Sequence, residues 1–181
     1  MGASRLFGLD LNKKELMELG VKLGADVPYC VLRGTALSEG IGEVLTPLPP
    51  IPDCHILIAK PAVSVSTKFV YEHLDAEGIK AHPDIDGMIA AIKEGSLRGI
   101  TDRMENVLET VTIPKYPVIA EIKSCMKKQG ALNALMSGSG PTVFGIFERE
   151  EDAYTAKRLI QERKLANQVY VVLPFNQKTN R

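Results

Sequence analysis

The sequence carries no excess charge of either sign: 22 lysines and arginines stand against 22 aspartates and glutamates. That balance removes the usual electrostatic argument for nucleic acid or an anionic membrane as partner. Cysteine is scarce. Cys30, Cys54 and Cys125 are odd in number and widely spaced, which fits neither a zinc pattern nor a disulfide framework and points to a reducing cytoplasm. No apolar run reaches the length of a membrane span, and residues 1–4 do not lead into the apolar core of a signal peptide. No Gly-Lys-Ser/Thr follows a glycine cluster, so a Walker A loop is excluded. The strands lack an RNP1-like run, which argues against RNA binding. His55, His73 and His82 have no metal-ligand spacing, and no metal site is expected of them. Internal repeats and low-complexity tracts are absent.

What is present reads as an ordinary globular chain. Hydrophobic residues make up 45% and charged residues 24% of 181 positions, enough for one domain, or one domain with part of another. Asn12 and Glu15 have the spacing of a capping box, and Leu16, Leu19 and Leu23 recur at helical spacing, so residues 12–23 predict a helix stopped at Gly24. Residues 27–32 predict a short buried strand, because Pro28 disfavours helical geometry at Val27. Residues 35–39 predict another strand. The proline-rich stretch 47–52 predicts a boundary, separating residues 1–46 from a unit spanning 47–176 and a polar tail at 177–181.

Beyond that boundary the pattern is regular. Strands are predicted at 55–60, 131–136, 142–147 and 169–173. Helices are predicted at 66–74, 83–93, 96–103, 116–129 and 152–164. With the additional helices set aside, the order is β-α-β-β-α-β, the ferredoxin-like arrangement of an α+β fold.

Three places could carry chemistry. Asp26 lies between a helix end and an apolar run. It reads either as a general base that takes a proton from a substrate hydroxyl or as a turn residue bonded to its own backbone. Ser137-Gly138-Ser139-Gly140-Pro141-Thr142 joins two apolar strands. Its glycines suit either close backbone approach to an anion or a tight hairpin. Ser64, Ser66 and Thr67 follow Lys60-Pro61, a candidate anion site that simple helix capping explains equally well. Tyr71 lies one turn further on, where an aromatic is more often core.

Taken together, Leu23-Gly24-Ala25-Asp26-Val27-Pro28, the Pro-x-Val-Ser-x-x-Thr run ending at Thr67, and Met136-Ser137-Gly138-Ser139-Gly140-Pro141-Thr142-Val143-Phe144-Gly145 resemble the GHMP superfamily of small-molecule kinases. Met104-Glu105-Asn106-Val107-Leu108-Glu109 resembles the family's Asn-Asp-Leu-Glu segment, with Val107 in place of aspartate. It reads as structural, with Asn106 and Glu109 capping or bridging helices. The resemblance covers residues 5–174 but only the C-terminal two-thirds of the family pattern. The upstream glycine-rich phosphate loop and an early lysine have no counterpart.

The resemblance implies a ferredoxin-like GHMP C-terminal domain preceded by the end of an N-terminal kinase domain. It implies ATP-dependent phosphorylation, with Mg²⁺, of an alcohol group on a small molecule. Glu39-Gly40-Ile41-Gly42-Glu43 points to the branch that acts on the 2-hydroxyl of a diphosphocytidyl methylerythritol in non-mevalonate isoprenoid synthesis. By that implication Asp26 is the base, Ser137, Gly138, Ser139, Gly140 and Thr142 support phosphate, and Ile41, Thr67 and Tyr71 bind substrate. The partners implied are the small-molecule substrate, the N-terminal kinase domain and a second copy in a homodimer. The chain alone is expected to be inactive. A homoserine- or mevalonate-type kinase is one alternative, and a stand-alone ferredoxin-like binding or oligomerisation module is another.

Overall fold

The structure is a computed structural model and describes residues 2, 6–9, 11–75 and 83–175. The sequence readings for residues 1, 3 and 4, for His82 and for the tail 177–181 fall outside the described residues. The chain divides into two compact units. The first reaches to Ile51 and takes in Phe175. The second is Pro52–Pro174.

In the first unit, helix α1 spans Lys13–Val21. Asn12 caps it by the expected reciprocal arrangement: the Glu15 N–H donates to Asn12 Oδ1 at 3.0 Å, and the Asn12 N–H donates to Glu15 Oε2 at 2.8 Å. The strand expected over residues 27–32 is instead a helix, α2, Val27–Leu32. Proline in a first helical turn loses no hydrogen bond, because that N–H has no intrahelical partner. Tertiary packing settles the matter against the pre-proline bias. A Cβ at Gly20 would lie 2.8 Å from Val27 Cγ1, so α1 and α2 meet closely there, and Pro28 is buried. Next come strands β1, Ala36–Glu39, and β2, Val44–Pro47, paired antiparallel with Glu39 opposite Val44. The second of these was hidden by the proline punctuation that follows it.

The second unit begins with strand β3, His55–Lys60. Helices α3 (Thr67–Glu72), α4 (Ile85–Glu94), α5 (Leu97–Asp102), α6 (Glu109–Lys115) and α7 (Val118–Lys128) follow, then strands β4 (Asn133–Met136) and β5 (Val143–Phe147), helix α8 (Glu150–Glu162) and strand β6 (Gln168–Val172). Side chains start several helices. Ser66, Asp84 and Ser96 each accept the N–H three residues on, from Phe69, Gly87 and Gly99. The strands form one antiparallel sheet in the order β4-β5-β3-β6, the ferredoxin-like order expected.

Helices α7 and α8 pack on this sheet. Ile119, Ile122 and Met126 of α7, and Ala153, Ala156 and Ile160 of α8, are buried at helical spacing. They meet Leu57, Ala59, Val143 and Phe147 from alternate strand positions. Phe147 is fully buried, and truncating such a side chain to alanine costs about 3–5 kcal/mol. This core fixes β4 and β5, and with them the loop between.

Candidate functional site

The turn from β4 to β5 is the glycine loop 137–142. The Ser137 N–H donates to Thr142 O at 2.8 Å, and the Gly140 N–H donates to Ser137 O at 3.0 Å. Gly138 (φ 56°) and Gly140 (φ 92°) adopt conformations that side chains with a Cβ disfavour. Gly140 is also crowded, since a Cβ there would stand 2.7 Å from Met136 Sδ. The peptide between Gly140 and Pro141 is cis.

The loop's carbonyls turn into the protein. Asn106 Nδ2 donates to Met136 O and to Gly138 O, both at 2.8 Å. The buried Thr112 hydroxyl donates to Ser139 O at 3.2 Å. The N–H groups of Gly138 and Ser139 have no partner among the described residues. A loop with its acceptors tied inward and two donors left over is suited to an anion.

Thr67, the first residue of α3, meets this loop: its hydroxyl lies 2.9 Å from Ser139 Oγ. Tyr71 lies one turn along α3 and is 61% exposed, which removes the core reading. The Phe69 ring of α3 stacks on His73, just past the helix end, at 3.9 Å between centroids, and Lys115 Nζ lies 3.5 Å from the Phe69 centroid.

The segment resembling Asn-Asp-Leu-Glu does more than cap helices. Glu109 Oε1 accepts the Met136 N–H at 2.8 Å, and Glu109 Oε2 takes Lys123 Nζ of α7 in an ion pair whose side chains are 15% and 18% exposed. Glu109 and Lys123, with Asn106, Lys127 and Asn133, line an open cleft of about 340 Å³. The sequence reading assigned Asn106 and Glu109 no part in the loop. Their spacing of three gave the signal, but the strand edge they reach is known only from the fold.

Asp26 and Ile41 belong to the first unit. Asp26 stands at the N-cap of α2 with its backbone already helical (φ −81°, ψ −12°) and makes no capping bond with its side chain. Its carboxylate is exposed and has no partner among the described residues, which removes the turn-residue reading. Ile41 sits in the β1–β2 turn, 73% exposed, and its N–H donates to Glu43 Oε2 at 2.8 Å.

Among the described residues, no group of three or more His, Cys, Asp or Glu could hold a metal ion. Among the described residues, no helix is long and apolar enough to cross a membrane either.

The fold has counterparts among known proteins. Residues 88–164 match the family GHMP kinases C terminal. The 4-diphosphocytidyl-2-C-methyl-D-erythritol kinase of Lachnospira eligens is 58% identical over 96% of this chain and 60% of its own length. The kinase of the same name from Lachnoclostridium phytofermentans is 59% identical over 86% of this chain and 53% of its own. The chain thus spans about three-fifths of the first of these relatives and about half of the second. Among solved structures, a 4-(cytidine 5'-diphospho)-2C-methyl-D-erythritol kinase superposes with a TM-score of 0.78 at 26% identity, covering 97% of this chain and 62% of that one. A homoserine kinase from Cytophaga hutchinsonii gives 0.77 at 20% identity and shares the fold.

Proposed function

We propose, for a chain that carries a GHMP kinase C-terminal domain, that it serves in an ATP-dependent kinase acting on the 2-hydroxyl of 4-diphosphocytidyl-2-C-methyl-D-erythritol. The observation that carries this reading is the 58% identity, over nearly the whole chain, to a kinase of that name. The loop supports it independently. Two unpartnered N–H donors at Gly138 and Ser139 suit the oxygens of a phosphate, which carry the negative charge during phosphoryl transfer.

In this reading Asp26 accepts the proton of the substrate hydroxyl as its oxygen bonds to the γ-phosphorus of ATP. The bond from that phosphorus to the bridging oxygen breaks, and ADP leaves. Asp26 suits the role in being exposed and uncommitted. Thr67 and Ser139 shape the phosphate side, and Tyr71 and Ile41 offer exposed apolar surface for the cytidine. Mg²⁺ in kinases is held by one or two carboxylates together with the phosphates. Among the described residues no three such ligands stand together, so the phosphates would supply much of its coordination, with single carboxylates completing it. The cytoplasm fits three free cysteines. Self-association belongs to the same reading, because Leu6, Phe7 and Leu23 are 80%, 72% and 84% exposed; sedimentation velocity across concentrations tests it.

The test is ADP release by the full-length protein with ATP and the diphosphocytidyl substrate, beside homoserine and mevalonate. Asp26→Asn should lower kcat by roughly 10²- to 10⁴-fold with KM little changed. Turnover of homoserine or mevalonate in preference would replace the substrate assignment. An Asp26→Asn variant with near-normal kcat would remove Asp26 as the base.

A further inference from the structure

Strand β4 lies at the edge of its sheet, and its last residue, Met136, leads directly into the glycine loop. An edge residue that turns its N–H and C=O outward has no strand to bond. At Met136 both groups are taken by side chains: Glu109 accepts the N–H and Asn106 donates to the C=O. These two residues, three apart in sequence, complete the strand edge at the position where strand becomes loop. Asn106 goes on to Gly138 O, inside the loop itself.

Glu109 has no freedom left in this arrangement. One oxygen is on Met136, and the other is on Lys123 of the core helix α7. Both side chains are largely shielded from water, where an ionic contact is screened less than at the surface. The carboxylate plane is therefore fixed from both ends. One oxygen thus holds α7 and the other holds the last peptide of β4, just ahead of the loop.

We propose that Glu109 is a positioning residue for the glycine loop: its bond to the Met136 N–H sets where the Gly138 and Ser139 N–H groups point. The catalytic consequence rests on the kinase reading above; the geometric one does not.

Two variants separate positioning from plain stability. Lys123→Met leaves Glu109 on Met136 but strands a shielded charge, so it should destabilise the fold while sparing the loop. The double variant Glu109→Leu with Lys123→Met restores charge balance but removes the acceptor for Met136, so it should fold and lose the loop's set. In the full-length protein the double variant should change kcat/KM for ATP by about tenfold to a hundredfold, the scale of a misplaced contact, and Lys123→Met by only a few-fold. The amide ¹H–¹⁵N shifts of Gly138 and Ser139 should move in the double variant and hold in Lys123→Met.

The proposal is overturned if the loop shifts and kcat/KM follow stability across the two variants, or if the double variant matches wild type. If the wild-type protein turns over none of the kinase substrates, the function proposed above fails, and the amide shifts alone still decide whether Glu109 sets the loop.

Discussion

The hydroxyls of Thr67 and Ser139 lie 2.9 Å apart although 72 positions of sequence separate the two residues. The bond joins the start of α3 to the apex of the glycine loop. It is open to water, so its net contribution is small, about 0.5–1.5 kcal/mol. A double-mutant cycle of Thr67→Val and Ser139→Ala, read by urea denaturation, should show a coupling near the low end of that range. Thr67→Ser should keep it. A coupling indistinguishable from zero would mean the two hydroxyls do not meet in solution.

Gly138 and Gly140 should respond differently to alanine. Both have positive φ, but a Cβ at Gly138 meets nothing within 4 Å, whereas at Gly140 it meets Met136 Sδ at 2.7 Å and Thr112 Cγ2 at 3.4 Å. Gly138→Ala should cost about 1–2 kcal/mol, the left-handed penalty alone. Gly140→Ala adds overpacking of about 1–3 kcal/mol. Equal losses for the two would show that crowding is not what demands glycine at 140.

The cysteines should label in two classes. Cys30 is exposed, whereas Cys54 and Cys125 are buried. Burial pushes the Cys54 thiol up, with Asp53 adding to the shift. Burial also pushes the Cys125 thiol up, against an opposing pull from Arg163 and Lys128. Because the thiolate is the reactive form, a disulfide reagent should modify Cys30 in the folded protein and all three thiols only in urea. Modification of Cys54 at the rate of Cys30 would contradict the packing beneath β3.

Asp84 supplies a pH dependence. The Gly87 N–H, and then the Arg103 side chain, hold its carboxyl below the usual carboxylate range. A carboxyl with a folded pKa below its unfolded one adds stability that is fully present above the unfolded pKa, near 4. That stability is lost as pH falls through the folded value. Asp84→Asn keeps an acceptor for Gly87 and removes the charge, so its urea midpoint should fall less steeply below about pH 4 than wild type. Parallel slopes would mean that neither the Gly87 N–H nor Arg103 holds the carboxyl down in solution.

Most of the second unit could be read from sequence because those signals are local. Residues 56–59 form an unbroken apolar run, and Ser66 announces its helix by capping. The helix Glu109–Lys115, absent from the sequence expectation, holds Pro114 within it. The first unit was read less well. Val27–Leu32 is short, apolar and carries a proline, so nothing within it separates helix from strand; its contact with Gly20 decides. The glycine loop was legible as a loop. That Asn106 and Glu109 hold it was not, because the contacts join residues about thirty positions apart through a strand edge. Tyr71 was weighed as core and lies exposed, a distinction that depends on what covers α3.

The placement of β3 has a consequence for synthesis. It is the earliest strand of its sheet in the chain and sits between the two latest, β5 and β6. As the polypeptide leaves the ribosome, Ile56, Leu57 and Ile58 emerge long before Phe147 or Val172 exist to pair with them. A strand kept waiting so long favours slow folding and exposes a sticky segment meanwhile. Residues 55–60 are therefore the segment of this unit with most need of a chaperone's shelter, and a ribosome stalled before residue 168 would hold a sheet still missing one edge.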